Sequence, residues 1–272
     1  PDGGQHRSSH LDLRDVSVSF NGFKALNALN MSVRKGELRC LIGPNGAGKT
    51  TALDIICGKV KPSAGTVSFD GTALQDLEEY EIARAGVGRK FQVPSVFREL
   101  SVSENLDVAR ARRTSVLGNL RWSVGNSGRE DIERLAELVG LTEQLDRPAA
   151  YLSHGQTQWL EIGMLVAQDA ELILMDEPTA GMTAQETRKT AELFARLKGK
   201  HTLIVVEHRT EVWADLVERV VVLGPRGVLA DGSPEDVLGA RGAQREQLRA
   251  TAEDPLAQLL RVLLDGDRVQ VR

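Results

Sequence analysis

Two cysteines in 272 residues offer no disulfide framework and no second pair for a tetrahedral zinc site. Cys40 falls in a predicted core strand and Cys57 late in the helix that follows, so both are expected to be buried, reduced thiols. Long apolar runs are also missing. Stretches such as Thr202–Val206 and residues 220–223 fall far short of the ~20 residues a membrane-spanning helix needs, and no signal-peptide pattern is present. The chain is therefore expected in the cytoplasm unless a partner holds it at a membrane. Nor is there an excess of positive charge. With 34 Lys and Arg against 38 acidic residues, the net charge of -4 gives no bulk electrostatic reason to bind nucleic acid or anionic lipid. That weakens a DNA-repair or RNA-binding reading. The length fits one large domain or two small ones, and one domain with a subdomain is the expectation.

What is present starts with Gly43-Pro44-Asn45-Gly46-Ala47-Gly48-Lys49-Thr50, which follows the apolar run Leu38–Ile42 and opens a helical segment. The spacing is that of a phosphate cradle. Its glycines let successive N–H groups face a polyphosphate, Lys49 neutralises β and γ oxygens, and the Thr50 hydroxyl is placed for Mg2+. Kinases, GTPases, helicases and transport ATPases all use such a loop. Alone it says only that a nucleotide binds.

A nucleotide-hydrolysing site needs partners for this loop elsewhere in the chain. Residues 1–10 are polar and aperiodic, a flexible leader. Leu11, Leu13, Val16, Val18 and Phe20 alternate as a strand does, and two further strands precede the loop. Phe20 ends its strand at Asn21-Gly22, where an aromatic ring is either core or a stacking surface for a base. Residues 78–85 read as a short helix and residues 87–92 as a strand that leaves Gln92 at its end. From residue 93 to about 168 helical patterns dominate, with Arg110, Arg112, Arg113 and Arg121 as one basic cluster, read as a solvated face. Leu152-Ser153-His154-Gly155-Gln156 precedes a helix over residues 157–167, with Ser153 as its N-cap. An apolar strand then ends in Asp176-Glu177, two acids that alternation in an extended chain sends to opposite faces. Thr183 and Glu186 form a capping box, and the strand Thr202–Val206 leads to Glu207-His208. Residues 219–223 and 227–231 read as a hairpin, and Ser233-Pro234 caps a last short helix. The tail, 239–272, has no assigned role.

In this order the motifs resemble the nucleotide-binding subunit of an ATP-binding cassette (ABC) transporter, over residues 11–238. Lys49 and Thr50 match Walker A, Gln92 the Q-loop, Ser153, Gly155 and Gln156 the signature, Asp176 and Glu177 Walker B, His208 the switch histidine, and Phe20 the adenine-stacking aromatic. The resemblance implies an α/β fold: a P-loop NTPase core with a RecA-like mixed sheet, an N-terminal antiparallel β-subdomain and an inserted α-helical subdomain over about 93–168. It implies ATP and Mg2+, with nucleotide held by Phe20, Gly43 to Thr51, and Ser153, Gly155 and Gln156 of a second subunit. Mg2+ would lie at Thr50, Gln92 and Asp176, and hydrolysis would depend on Lys49, Gln92, Glu177 and His208. Implied partners are a second ATPase subunit, identical or not, transmembrane permeases and, indirectly, a solute-binding protein, but no nucleic acid. The cassette would sit on the inner face of the cell membrane.

Finer segments resemble the urea-importer ATPases, relatives of the branched-chain amino acid importer ATPases. They are Gly88-Arg89-Lys90-Phe91-Gln92, Leu152 through Gly163 with His154 in the signature, and Glu177-Pro178-Thr179-Ala180-Gly181-Met182-Thr183. Arg209 and Thr183 depart from the pattern, each standing where an aspartate is more usual. A soluble ABC ATPase of translation or DNA repair is the reading from another class. It is disfavoured because the chain carries neither a second cassette nor a long coiled-coil insertion.

Overall fold

The computed structural model describes residues 9–20, 22–90, 95–111, 127–207, 213–224 and 227–238. Residues 1–8 of the leader, Gln92, Arg112, Arg113, Arg121, His208, Arg209 and the tail beyond 238 lie outside the described residues, whereas His10, read as part of the leader, is buried ahead of β1.

The alternation at the start of the chain becomes an antiparallel sheet. β1 (Leu11–Phe20) pairs with β2 (Phe23–Val33) and β4 (Ala64–Phe69), and β4 with β5 (Thr72–Ala73), giving the order β2-β1-β4-β5. Leu11, Leu13, Val16 and Val18 are buried. Their spacing slips by one residue at Asp15, whose φ of 51 marks a bulge and a break in the β1–β2 register.

The second sheet has six strands in the order β10-β9-β3-β8-β7-β6. They are β3 (Leu38–Ile42), β6 (Val87–Lys90), β7 (Leu172–Asp176), β8 (Thr202–Val206), β9 (Arg219–Gly224) and β10 (Gly227–Gly232), and only the β9–β10 hairpin is antiparallel. Every residue of β3, β7 and β8 is buried, the pattern of parallel strands covered on both faces. Alternation sorts their side chains into two cores. Leu41, Leu172, Leu174, Ile204 and Val206 pack with the antiparallel sheet and α1 (Lys49–Ile56). Leu38, Cys40, Ile42, Ile173, Met175, Leu203 and Val205 pack against helices on the other side. Each such aliphatic side chain contributes about 1.5–3 kcal/mol through burial.

Those helices are α3 (Val102–Ala111), α4 (Ser127–Val139), α5 (His154–Ala167) and α6 (Ala184–Leu197); the short α2 (Glu79–Arg84) precedes β6, and α7 (Pro234–Leu238) follows β10. α6 buries Thr187, Thr190, Leu193, Phe194 and Leu197, one helical stripe, and Phe194 stacks on Trp213 at 4.9 Å between centroids.

Three expectations need correction. The helix read as 157–167 starts at His154, because Ser153 caps it as predicted and the first turn belongs to the signature itself. The strand read as 87–92 stands as β6 over Val87–Lys90, and its last two positions lie outside the described residues. Arg110 is not on a solvated face: its guanidinium bridges Asp107 at 3.2 Å and Asp131 at 3.0 Å and pins α3 to α4. Cys40 is buried as expected, whereas Cys57 is only half-buried, and both are free thiols. Among the described residues no helix is long and apolar enough to cross a membrane.

Candidate nucleotide site

The site forms at the carboxyl ends of parallel strands, where open α/β sheets place their crevices. β3 delivers Gly43, Pro44, Asn45, Gly46, Ala47 and Gly48; α1 carries Lys49, Thr50 and Thr51. Gly48 caps α1 at a φ of 90, and a Cβ there would come within 2.5 Å of the Ala25 carbonyl and of the Leu26 side chain. Only glycine satisfies both the left-handed backbone and the close approach to β2.

Lys49 is buried, and its Nζ donates to the carbonyls of Gly43 at 2.7 Å and Pro44 at 2.9 Å. The ammonium therefore lies across its own loop. Burial lowers its pKa, against the upward pull of the Asp176 and Glu177 carboxylates. A buried cation within a glycine-rich loop is matched by a polyphosphate, which supplies the negative charge the loop lacks.

Asp176 ends β7, separated from β3 by β8, and is 6% exposed. The Thr50 hydroxyl donates to its Oδ2 at 2.9 Å, so two hard oxygen ligands from distant parts of the sequence meet at the mouth of the loop. That donor set fits Mg2+. Glu177 follows, exposed, but alternation does not set its direction as predicted. The strand ends at Asp176, and Glu177 turns at a φ of 47 with its N–H on the Val206 carbonyl at 2.9 Å.

One neighbour escaped the sequence reading. Glu207, buried past the end of β8, accepts from the Thr179 N–H at 3.2 Å and the Thr179 hydroxyl at 2.6 Å. It fastens the turn after Glu177 to the strand beside the phosphate loop. A carboxylate directly after the apolar run Leu203 to Val206 is the one signal the sequence offers for it.

Phe20 is 48% exposed at the end of β1. Two residues earlier Val18 pairs with Leu26, the residue that Gly48 abuts, so Phe20 ends its strand at the turn of the β1–β2 hairpin that lies against the loop. Ser153, Gly155 and Gln156 open α5. Ser153 and Gln156 cap each other, at 3.2 Å from the Gln156 N–H to the hydroxyl and 2.9 Å from the Ser153 N–H to Oε1. Ser153 also donates to Glu186 Oε1 at 3.0 Å, and His154 Nε2 lies 3.1 Å from the Ala180 carbonyl. These hydrogen bonds run to the start of α6 and the turn before it, not to the phosphate loop. Gln92 and His208 lie outside the described residues. One other cluster of metal-ligand type, His10, Asp70 and Glu171, lies among the described residues, but there the Lys35 ammonium pairs with Glu171 at 2.5 Å.

Residues 26–180 match the model of the family described as ABC transporter, from β2 through the loop and the start of α5 to the turn after Glu177. The chain belongs to the ABC transporter family. It resembles the high-affinity branched-chain amino acid transport ATP-binding protein BraF of Pseudomonas aeruginosa, 35% identical over 84% of this chain and 92% of that one. The likeness to the high-affinity branched-chain amino acid transport ATP-binding protein LivG of Escherichia coli is also 35% over the same shares. Among solved structures it is similar to the ADP conformation of an ATP-binding cassette of an ABC transporter, with a TM-score of 0.74 at 28% identity over 89% of this chain and 99% of that one. A second likeness is to the dimeric structure of a bacterial ABC transporter cassette, with a TM-score of 0.69 at 26% identity over 82% and 98%. The α/β cassette fold expected from the motifs is thereby borne out. As a family member the cassette binds ATP with Mg2+ and is an ATPase whose hydrolysis is coupled to transport.

Proposed function

We propose that this cassette energises an importer of urea or a short amide, as one of two ATPase subunits held by permeases at the inner face of the cell membrane and supplied by a solute-binding protein. The observation that carries the reading is the signature with His154, set against the Ala180 carbonyl of the turn after Glu177. That signature, that turn and the segment ending β6 are the three stretches that resemble urea-importer ATPases. Import of branched-chain amino acids is the second reading, favoured by what the relatives at 34–35% identity are described as doing. The solute does not touch an ATPase subunit, so the choice rests on likeness. The pairing of two subunits is supported by the solved cassette described as dimeric.

In this reading ATP is hydrolysed by in-line attack of water on the γ-phosphorus, with catalysis through positioning and charge. The backbone of Asn45 to Thr51 and the Lys49 ammonium hold the phosphates, and Phe20 stacks on adenine. Mg2+, held by Thr50, Asp176 and Gln92, would neutralise charge on the phosphate oxygens. Glu177 orients or deprotonates the attacking water, and His208 bonds the γ-phosphate. Ser153, Gly155 and Gln156 complete the site of the opposite subunit, with the amino end of α5 aimed at its γ-phosphate. Residues 11–238 form the ATPase unit, and its helical part, about 93–168, transmits closure to the permeases.

The test is uptake of radiolabelled urea and leucine by cells expressing the cassette with its permeases and binding protein. Urea accumulation that is lost in Lys49→Ala is expected. Leucine accumulation without urea accumulation would overturn the solute assignment and leave the ATPase reading standing.

A further inference from the structure

The donors assigned above to the partner's γ-phosphate already have an anion. The Ser153 hydroxyl donates to Glu186 Oε1 at 3.0 Å, and a Cβ built on Gly155 would lie 2.6 Å from the same oxygen. The carboxylate is pressed against the bare backbone of the signature. The Glu186 carboxyl is held below its ordinary pKa, first by the Thr183 N–H and also by the Ser153 hydroxyl and the nearby Gly155 N–H.

Helix capping does not explain this placement. As the third residue of α6, Glu186 serves its capping box through Oε2, which accepts from the Thr183 N–H and hydroxyl at 3.0 Å each. Oε1 is not needed for that box, yet it takes the Ser153 proton. A serine hydroxyl has one proton to donate, so Ser153 cannot serve Glu186 and a phosphate together. A carboxylate and a γ-phosphate also repel at such range.

We propose that Glu186 is an intramolecular stand-in for the γ-phosphate: it occupies the signature's Ser153 and Gly155 donors until the partner subunit's ATP displaces it, and so sets the ATP concentration at which two cassettes close. The inference rests on the reading of Ser153 and Gly155 as donors to the partner's nucleotide. Displacement is a competition between two anions for one set of donors, with no bond made or broken. Glu186 is a positioning residue that touches neither water nor phosphorus.

The test uses the assembled transporter in lipid vesicles and measures ATPase rate against ATP concentration. In Glu186→Gln the amide oxygen can keep the Thr183 contacts while its NH2 turns to the signature and ceases to hold the donors. The half-saturating ATP concentration is then expected to fall about threefold to tenfold, because the open state has lost a stabilising contact that the closed state never had. The rate at saturating ATP stays within about twofold, since chemistry is not touched. A merely structural Glu186 predicts the reverse, a lower maximal rate with unchanged or higher half-saturation, and that result would overturn the proposal. Glu186→Ala, which also lacks the cap, should melt earlier without nucleotide yet show the same fall in half-saturating ATP. Ser153→Ala separates the two levels of argument. If it loses maximal rate while Glu186→Gln leaves half-saturation unmoved, only the stand-in role fails; if Ser153→Ala turns over normally, the reading of the signature fails and this inference with it.

Discussion

The Lys90 ammonium, at the last residue of β6, and the Glu161 carboxylate, within α5, face each other at 3.9 Å with 5% and 3% of their residues exposed. Burial pushes Lys90 down and Glu161 up in pKa, each disfavouring its charge, and the partner charge opposes the shift in both. Glu161 Oε1 also accepts the Ser95 N–H at 2.7 Å. One carboxylate on the signature helix thus holds residues on both sides of the segment that contains Gln92. Lys90→Met would leave a dry, uncompensated carboxylate, at a cost of about 3–5 kcal/mol near pH 8. The sign with pH follows from a carboxyl raised in the folded state. Folding then retains a proton that the unfolded chain releases, so stability falls as pH rises above the ordinary carboxyl range. Denaturant melts of Lys90→Met should therefore show a smaller deficit at pH 5 than at pH 8. An equal deficit at both would mean that Glu161 does not carry the charge.

Two glycines of the phosphate loop share a left-handed backbone and differ in surroundings. Gly48, at a φ of 90, has the Ala25 carbonyl 2.5 Å from where a Cβ would go; Gly46, at a φ of 81, has no atom within 4 Å. Gly46→Ala pays only the conformational penalty, about 1–2 kcal/mol. Gly48→Ala adds a backbone clash and must shift the loop against β2, so its thermal stability should drop further and its affinity for a fluorescent ATP analogue should fall more than tenfold. Equal behaviour of the two variants would show that the close approach to β2 is not what requires glycine.

Local features were readable because their causes are local. The capping boxes at Ser153 and Thr183, the largely apolar strands β3, β7 and β8, and the β9–β10 hairpin all depend on residues a few positions apart. The turn of Glu177 was misread because left-handed backbone at a non-glycine residue leaves no compositional trace. Contacts between distant elements were invisible for a different reason. Glu186 reads as a cap and serves as one, but its second oxygen meets Ser153, 33 positions earlier in the chain, only once α5 and α6 are packed. Glu207 and Thr179 meet the same way, across a strand end. Arg110, grouped by sequence with three other arginines, was assigned to solvent when two aspartates on different helices were waiting for it.

The two thiols should behave differently. Cys40 is buried in β3, and burial, with the Glu207 carboxylate adding to it, pushes its pKa up to about 12. Cys57 is half-buried, with an Arg89 guanidinium nitrogen 3.3 Å from its sulfur. Iodoacetamide on the native chain is expected to label Cys57 and to spare Cys40 until the protein unfolds. Because the folded state keeps the Cys40 proton that the unfolded state loses above about pH 9, Cys40 contributes a stability loss of up to about 1.4 kcal/mol per pH unit between there and pH 12. Cys40→Ala should be less stable near neutrality, by its lost packing, yet decline less steeply from pH 9 to 10.5. A parallel decline would mean that the thiol is not held protonated.

Glu177 and Asp176 are adjacent in sequence and differ in surroundings, which separates their expected losses. Asp176 is buried against the Thr50 hydroxyl at 2.9 Å, so Asp176→Asn should weaken the Mg2+ dependence of nucleotide binding. Glu177 is exposed past the strand end and makes its backbone bond to Val206 with an N–H that any side chain leaves in place. Glu177→Gln changes one oxygen to an amide at an unaltered backbone, so folding and ATP affinity should stay within about twofold of the parent, while loss of a group that orients or deprotonates water should lower the ATPase rate about 100-fold to 10,000-fold. With hydrolysis blocked and binding intact, ATP should hold the two subunits closed, and size-exclusion with light scattering should find a nucleotide-dependent dimer that the parent shows only briefly. Normal turnover in the assembled transporter would remove Glu177 from the reaction and pass the task of positioning water to another group near Asp176.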